Sequence, residues 1–122
     1  MNNDRFKFRV WDNINKRYDK SLDLIDKDGD LCYQDGGKYC NGEHPDDFTI
    51  EQCTGLKDKN GKLIYEGDVL GFYIKTRPVY VQWDSDKCRF VLRRFDIEGW
   101  EISLIQDTAS RYTIIGNIHE NR

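Results

Sequence analysis

A tight turn followed almost at once by a second break constrains this chain more than any other feature. Residues 54–69 run Thr-Gly-Leu-Lys-Asp-Lys-Asn-Gly-Lys-Leu-Ile-Tyr-Glu-Gly-Asp-Val. Asp58-Lys59-Asn60-Gly61 is a turn sequence, because Asn and Gly tolerate the positive φ that a reversal between strands demands. Glu66-Gly67-Asp68 breaks the chain again, just ahead of the apolar run Val69-Leu70-Gly71-Phe72-Tyr73-Ile74. The stretch predicts a hairpin whose outgoing arm is residues 48–53 and whose return is residues 62–65. The return is cut at Gly67, and the chain passes there into a second sheet.

The N-terminal residues repeat the strand signal. In Arg5-Phe6-Lys7-Phe8-Arg9-Val10-Trp11, Phe6, Phe8 and Val10 alternate with Arg5, Lys7 and Arg9, the period of a half-buried strand. Trp11 falls on the charged face, where it either covers a neighbouring element or marks a partner surface. Asp12-Asn13-Ile14-Asn15 is the turn that follows, and Arg17-Tyr18 begins the return. From residue 19 to residue 47 the pattern dissolves into Asp, Gly and Lys. Leu22, Leu24 and Leu31-Cys32-Tyr33 are expected as short strands around an Asp28-Gly29 turn within a long excursion.

After Asp68 come four apolar-rich runs, residues 69–74, 79–83, 89–95 and 100–105, separated by polar turns. Several short strands at intervals of about ten residues predict a small sandwich or barrel. Residues 112–118 supply a last strand to close it. Residues 106–111 are the place for one helical turn, capped by Asp107 or Thr108. Composition agrees: there is one alanine, Ala109, against an aromatic fraction of 13%. Alanine favours helix, whereas aromatic and β-branched side chains fit the pleated sheet. A chain of 122 residues suits one domain.

Three stretches together resemble the YopX family of phage- and prophage-encoded proteins. The central block is residues 54–69, with Gly55, Asp58, Asn60, Gly61, Gly67 and Asp68 as its structural residues. Phe8-Arg9-Val10-Trp11-Asp12 and Lys16-Arg17-Tyr18 resemble the family's N-terminal motif. Ile115-Gly116-Asn117-Ile118-His119-Glu120-Asn121 resembles its closing motif, with Gly116 as a further structural position. The resemblance implies a mainly β protein in which N-terminal strands and a central hairpin join a small SH3-like barrel, with little helix. Residues 1–66 would hold the N-terminal strands, variable loop and hairpin, and residues 67–119 the barrel, all within one compact unit of residues 1–122. It implies no known reaction.

The residues able to do chemistry have plainer readings. Asp26, Asp28 and Asp30 alternate as calcium ligands do, but Leu31 stands where such a loop needs Gly, and Gly37 where it needs a bidentate Glu. Cys32, Cys40, His44 and Cys53 match zinc by count but not by paired spacing, and the four cysteines, Cys32, Cys40, Cys53 and Cys88, are expected to be reduced thiols. His44 and His119 have no nucleophile motif beside them; of Glu66 and Asp68, which straddle Gly67, Asp68 is expected to accept from backbone N–H groups at the turn and Glu66 to be solvated. No catalytic residue, metal or cofactor is therefore expected.

The expected activity is non-enzymatic contact with an unidentified protein partner in the cytoplasm of a bacterial host. Trp11, Arg77, Arg89 and Arg93, with the variable region of residues 19–47, are the candidate partner surface, and exposed strand edges make self-association plausible. The alternative is a nucleic-acid-binding barrel. Lys75, Arg77, Lys87, Arg89, Arg93 and Arg94 lie among Tyr73, Tyr80 and Phe95, a composition suited to single strands. Asp84, Asp86, Asp96 and Glu98 dilute that field, and the net charge of -3 opposes bulk attraction to phosphate. No apolar run reaches the roughly 18 residues of a membrane span.

Overall fold

Period-two patterning becomes strand over most of the chain that can be described. The computed structural model describes residues 3–20, 24, 25, 27–32, 46–72 and 77–120. Expectations for Leu22, Asp26, Tyr33, Cys40, His44, Tyr73, Lys75 and Asn121 lie outside these residues. Among the described residues the structure is mainly β, with nine strands in two sheets, one of them curled into a half-barrel, and a separate two-stranded ladder. By their contacts the residues form two units, Phe8–Glu51 and Met1–Lys7 with Gln52–Arg122. The chain passes between these units at residues 7–8 and 51–52, and Gly67 lies inside the larger one.

In the smaller unit β1 (Phe8–Asp12) pairs antiparallel with β2 (Arg17–Asp19), in the register Val10 to Asp19 and Asp12 to Arg17. The turn between them is held by Asp12, whose Oδ1 accepts from the backbone N–H of Ile14 and Asn15 at 2.9 and 3.0 Å. These bonds, with one from the Asn15 side chain, hold the Asp12 carboxyl below its ordinary range. The ladder β3 (Leu24–Ile25) and β4 (Leu31–Cys32) closes around Gly29, whose φ is 86°. Val10 and Leu31 are fully buried, with Phe8, Phe48 and Ile50 packed on them. That is the apolar face read from the alternation, with one correction. Phe6 is 60% exposed on a 3₁₀ turn (Asp4–Phe6), so the strand begins only at Phe8.

The larger unit is built on the last part of β5 (Phe48–Lys57), β6 (Leu63–Tyr65) and a five-stranded sheet. That sheet holds β7 (Asp68–Gly71), β8 (Val79–Asp84), β9 (Arg89–Arg94), β10 (Glu101–Ser103) and β11 (Thr113–Asn117). Its order is β10-β9-β8-β7-β11: four strands in a meander, with the last returning beside the first. The expected barrel is therefore a curled half-barrel, with β10 and β11 at the two ends of the order rather than joined. Ile64, Leu70, Leu92 and Ala109 are fully buried in its core, beside Val79, Val81 and Leu104. Each large aliphatic side chain contributes about 1.5–3 kcal/mol by leaving water.

One helical turn, α1 (Gln106–Ala109), precedes β11. Neither Asp107 nor Thr108 caps it: the N-cap position is Ile105, with no side-chain bond. Gln106 instead holds the turn in place, its Oε1 accepting from Lys57 N–H at 3.3 Å and its Nε2 donating to Lys57 O at 3.0 Å. Tertiary attachment substitutes for a local cap.

Two bulges shape the sheets. Between the pairs Cys53–Tyr65 and Lys57–Leu63, β5 advances four residues while β6 advances two. Gly55 absorbs the excess with a φ of 80°, and a β-carbon there would lie 3.2 Å from the Arg5 Cβ. Gly55→Ala is expected to lower stability by about 1–3 kcal/mol from backbone strain alone. Thermal unfolding followed by circular dichroism checks this, and an unchanged midpoint would refute it. The second bulge is at Ile115, between the pairs Ile114–Leu70 and Gly116–Val69.

Candidate functional site

The central motif residues are spent on the backbone. Asp58 is almost fully buried, and its Oδ1 accepts from the N–H groups of Asn60 and Lys62, both at 2.9 Å. Its Oδ2 accepts from Ile114 N–H on β11 at 3.0 Å, and Lys59 N–H donates to Tyr112 O at 2.8 Å. One carboxylate thus closes the hairpin turn and fastens it to the last strand. Gly61 completes the turn with a φ of 80°. Asp68, also buried, accepts from Tyr65 N–H at 2.7 Å, the turn role expected of it. Glu66 Oε1 accepts from Gln52 N–H at 3.1 Å.

The closing motif returns to the same corner. Gly67, at φ 82°, donates to Val81 O at 2.9 Å and accepts from Ile118 N–H at 2.8 Å. Asn117 stands opposite Asp68, and its Oδ1 accepts from His119 N–H at 2.9 Å. Two motifs about fifty residues apart in sequence therefore meet at one junction, where Asp58, Glu66, Asp68 and Asn117 all accept from main-chain N–H groups. What this corner does is join strands.

Beyond the junction, the exterior of β8, β9 and β10 gathers a ladder of charged side chains. Alternation turns Phe90 and Leu92 to the core, and so turns Arg89, Val91 and Arg93 outward. Register places Arg93 between Tyr80 and Glu101, Val91 between Gln82 and Ser103, and Arg89 opposite Asp84. Glu101 serves three cations: its Oε2 lies 3.2 Å from both Lys87 Nζ and Arg89 Nη2, and its Oε1 lies 3.5 Å from Arg93 Nη1. Arg93 also bonds to Gln82 and lies 3.9 Å from Asp84. Val91, though on this outer side, is fully buried. The long arginine stems flanking it on β9 are suited to covering it while their heads stay wet. The Lys87 hydrogen bond first, then that of Arg89, holds the Glu101 carboxyl below the ordinary range, so this ladder keeps its charges at lower pH than a lone glutamate would.

An aromatic step adjoins the ladder. Tyr80 and Phe95 lie with ring centroids 4.7 Å apart, and Phe95 is 52% exposed. Arg94 and Asp96 pair at 2.6 Å, with the Arg94 guanidinium 5.7 Å from the Trp100 ring.

Of the four residues expected at a partner surface, the structure brings Arg89 and Arg93 together. Arg77 is exposed at φ 50°, and its charge, behind the larger effect of the Arg94 hydrogen bond, helps hold Asp96 ionised. Of the two roles expected for Trp11, the structure shows the covering one. The residue is only 9% exposed, with its ring edge-on to Tyr18 at 5.0 Å. The period did place Arg9 and Trp11 on one face, but Tyr18 and Glu51 fill that face. Glu51 is 3% exposed and accepts from Arg9 Nε at 2.7 Å and from the Tyr18 hydroxyl at 3.0 Å. Sequence reading missed this group because it depends on β1 and β5 lying side by side. Cys53 is buried, which pushes its thiol up, and Cys88 is an exposed free thiol.

A family model described as YopX protein matches residues 7–122, nearly the whole chain. Among solved structures the chain is similar to the crystal structure of protein EF1440 from Enterococcus faecalis. The two are 27% identical, with a TM-score of 0.60 over 94% of each chain. No curated protein matches in sequence.

Proposed function

This chain belongs to the YopX protein family, and from that premise we propose that it is a non-enzymatic module that binds a protein partner. The observation that carries the reading is the fate of the motif carboxylates. Asp58, Glu66 and Asp68 each accept from backbone N–H groups, so the motif builds a scaffold. The scaffold presents a sheet exterior of paired charges beside exposed aromatic surface, the mixture from which protein interfaces are made. The setting we propose is the cytoplasm of a bacterial cell carrying the gene on a phage or prophage. The bacterial source of the similar structure supports the bacterial part of that setting.

Nucleic-acid binding ranks second because four of the cations that suggested it, Lys87, Arg89, Arg93 and Arg94, are already engaged. Lys87, Arg89 and Arg93 converge on Glu101, and Arg94 holds Asp96, so a phosphate backbone would have to displace carboxylates at each step. Affinity capture with the tagged chain from bacterial lysate, with and without nuclease, separates the two. The expected result is a retained protein that survives nuclease treatment. Recovery of nucleic acid with no nuclease-resistant protein would overturn the reading.

A further inference from the structure

We infer that the outer face of β8, β9 and β10 is a receptor for an acidic segment of a partner protein, with Glu101 occupying the place of one partner carboxylate. This rests on the protein-binding reading above and specifies its surface. The first support is an imbalance in the ladder. Three cations, Lys87, Arg89 and Arg93, share Glu101, and Asp84 adds only a 3.9 Å contact to Arg93. A guanidinium binds a carboxylate best through two parallel N–H bonds. Here Glu101 divides its oxygens, so Arg89 and Arg93 each receive less than a full fork.

The second support is Arg89 Nε, the one buried side-chain polar atom among the described residues with no hydrogen-bond partner. A buried donor without an acceptor is costly, and the Arg89 side chain, 41% exposed as a whole, can turn this N–H toward a carboxylate arriving from outside. The third is the step made by Tyr80 and Phe95, next to Arg93, where an apolar side chain of the same segment would rest. A peptide fits better than a nucleic acid for a reason of spacing. Asp84 and Asp86 border the cations, with Asp96 and Glu98 beyond. A duplex carries a charge about every 1.7 Å and meets these acids as well as the arginines, whereas a peptide can offer one or two carboxylates between them.

The test uses a fluorescein-labelled twelve-residue peptide alternating Glu with Phe and Ser, read by anisotropy at low salt on the full chain. Glu101→Gln removes the internal competitor and is expected to tighten binding about three- to tenfold, on the scale where about 1.4 kcal/mol is tenfold. Arg89→Ala with Arg93→Ala is expected to weaken it at least about tenfold. Where that double variant does not fold, Arg93→Lys keeps the charge but not the fork, and is expected to weaken binding about threefold or more. A peptide with Gln in place of every Glu is expected not to bind. The inference is overturned if Glu101→Gln weakens or leaves binding unchanged, if neither it nor the parent chain binds, or if a labelled single-stranded DNA binds more tightly than the peptide. The broader reading fails separately. A protein captured equally by the parent and by the Arg89/Arg93 double variant sinks this surface alone, whereas no captured protein on either sinks the protein-binding module.

Discussion

Asp58→Ala is expected to destabilise the larger unit by about 2–4 kcal/mol, the largest effect of any single polar substitution in it. The side chain satisfies three backbone N–H groups at once, two in the turn and one on β11. Hydrogen bonds to a charged acceptor contribute about 1.5–3 kcal/mol each, and a buried donor left without a partner costs about 1–3 kcal/mol. Asn60 and Lys62 are exposed, so water recovers part of that cost at the turn. Ile114 N–H is less accessible. Asp58→Asn separates the contributions, because an amide oxygen can still accept from the turn while its NH₂ faces the Ile114 N–H. It is expected to lose about half as much. Hydrogen exchange at the Ile114 amide, together with exchange protection of the β7, β8 and β9 amides, reads both. An alanine variant within about 0.5 kcal/mol of the parent chain would show that the carboxylate does not hold turn and strand together.

Glu51→Ala is expected to cost the smaller unit about 2–4 kcal/mol, through a buried charge pair rather than a turn. Glu51 accepts from both Arg9 and the Tyr18 hydroxyl, and the Arg9 guanidinium lies 4.6 Å from the Tyr18 ring centre. Breaking a buried pair by deleting one partner typically costs about 3–5 kcal/mol. The Arg9 side chain is 23% exposed, so water screens part of the loss and the lower figure applies. The distinguishing result is the double change. Arg9→Met with Glu51→Met removes both charges and is expected to be closer to the parent chain than Glu51→Met alone. Because the chain forms two units, a single unfolding free energy is not the right readout. Exchange protection of the β1 and β2 amides reports this unit by itself, and a double variant worse than the single would refute the pairing.

Much of the framework was legible before any coordinates. The turn at residues 58–61, the break at Gly67, the turns at Asp12 and Gly29 and the strands of the meander all follow from local signals. Those signals are positive-φ residues and period-two apolar spacing, which act within a few residues along the chain. Where local reading erred, a distant neighbour had decided. Phe6 has the spacing of a core residue yet ends a 3₁₀ turn. Asp107 has the chemistry of a helix cap, but Gln106 fastens that turn to Lys57 instead. Trp11 sits on the face predicted for it, and that face is covered.

The candidate surface divides the same way. Arg89 and Arg93 could be named from the sequence because alternation puts both on the exterior of one strand. That Lys87, Arg89 and Arg93 converge on Glu101 could not, since it depends on which residue of β10 lies opposite Arg93. Sequence by itself determined where the chain turns, which strands exist and which side of each is apolar, because those properties are set by backbone torsions and by neighbours one or two residues away. Only the tertiary structure decided which charges meet and which faces are covered. Pairing between strands brings together residues far apart in the chain, and a shift of one residue in register would exchange every partner.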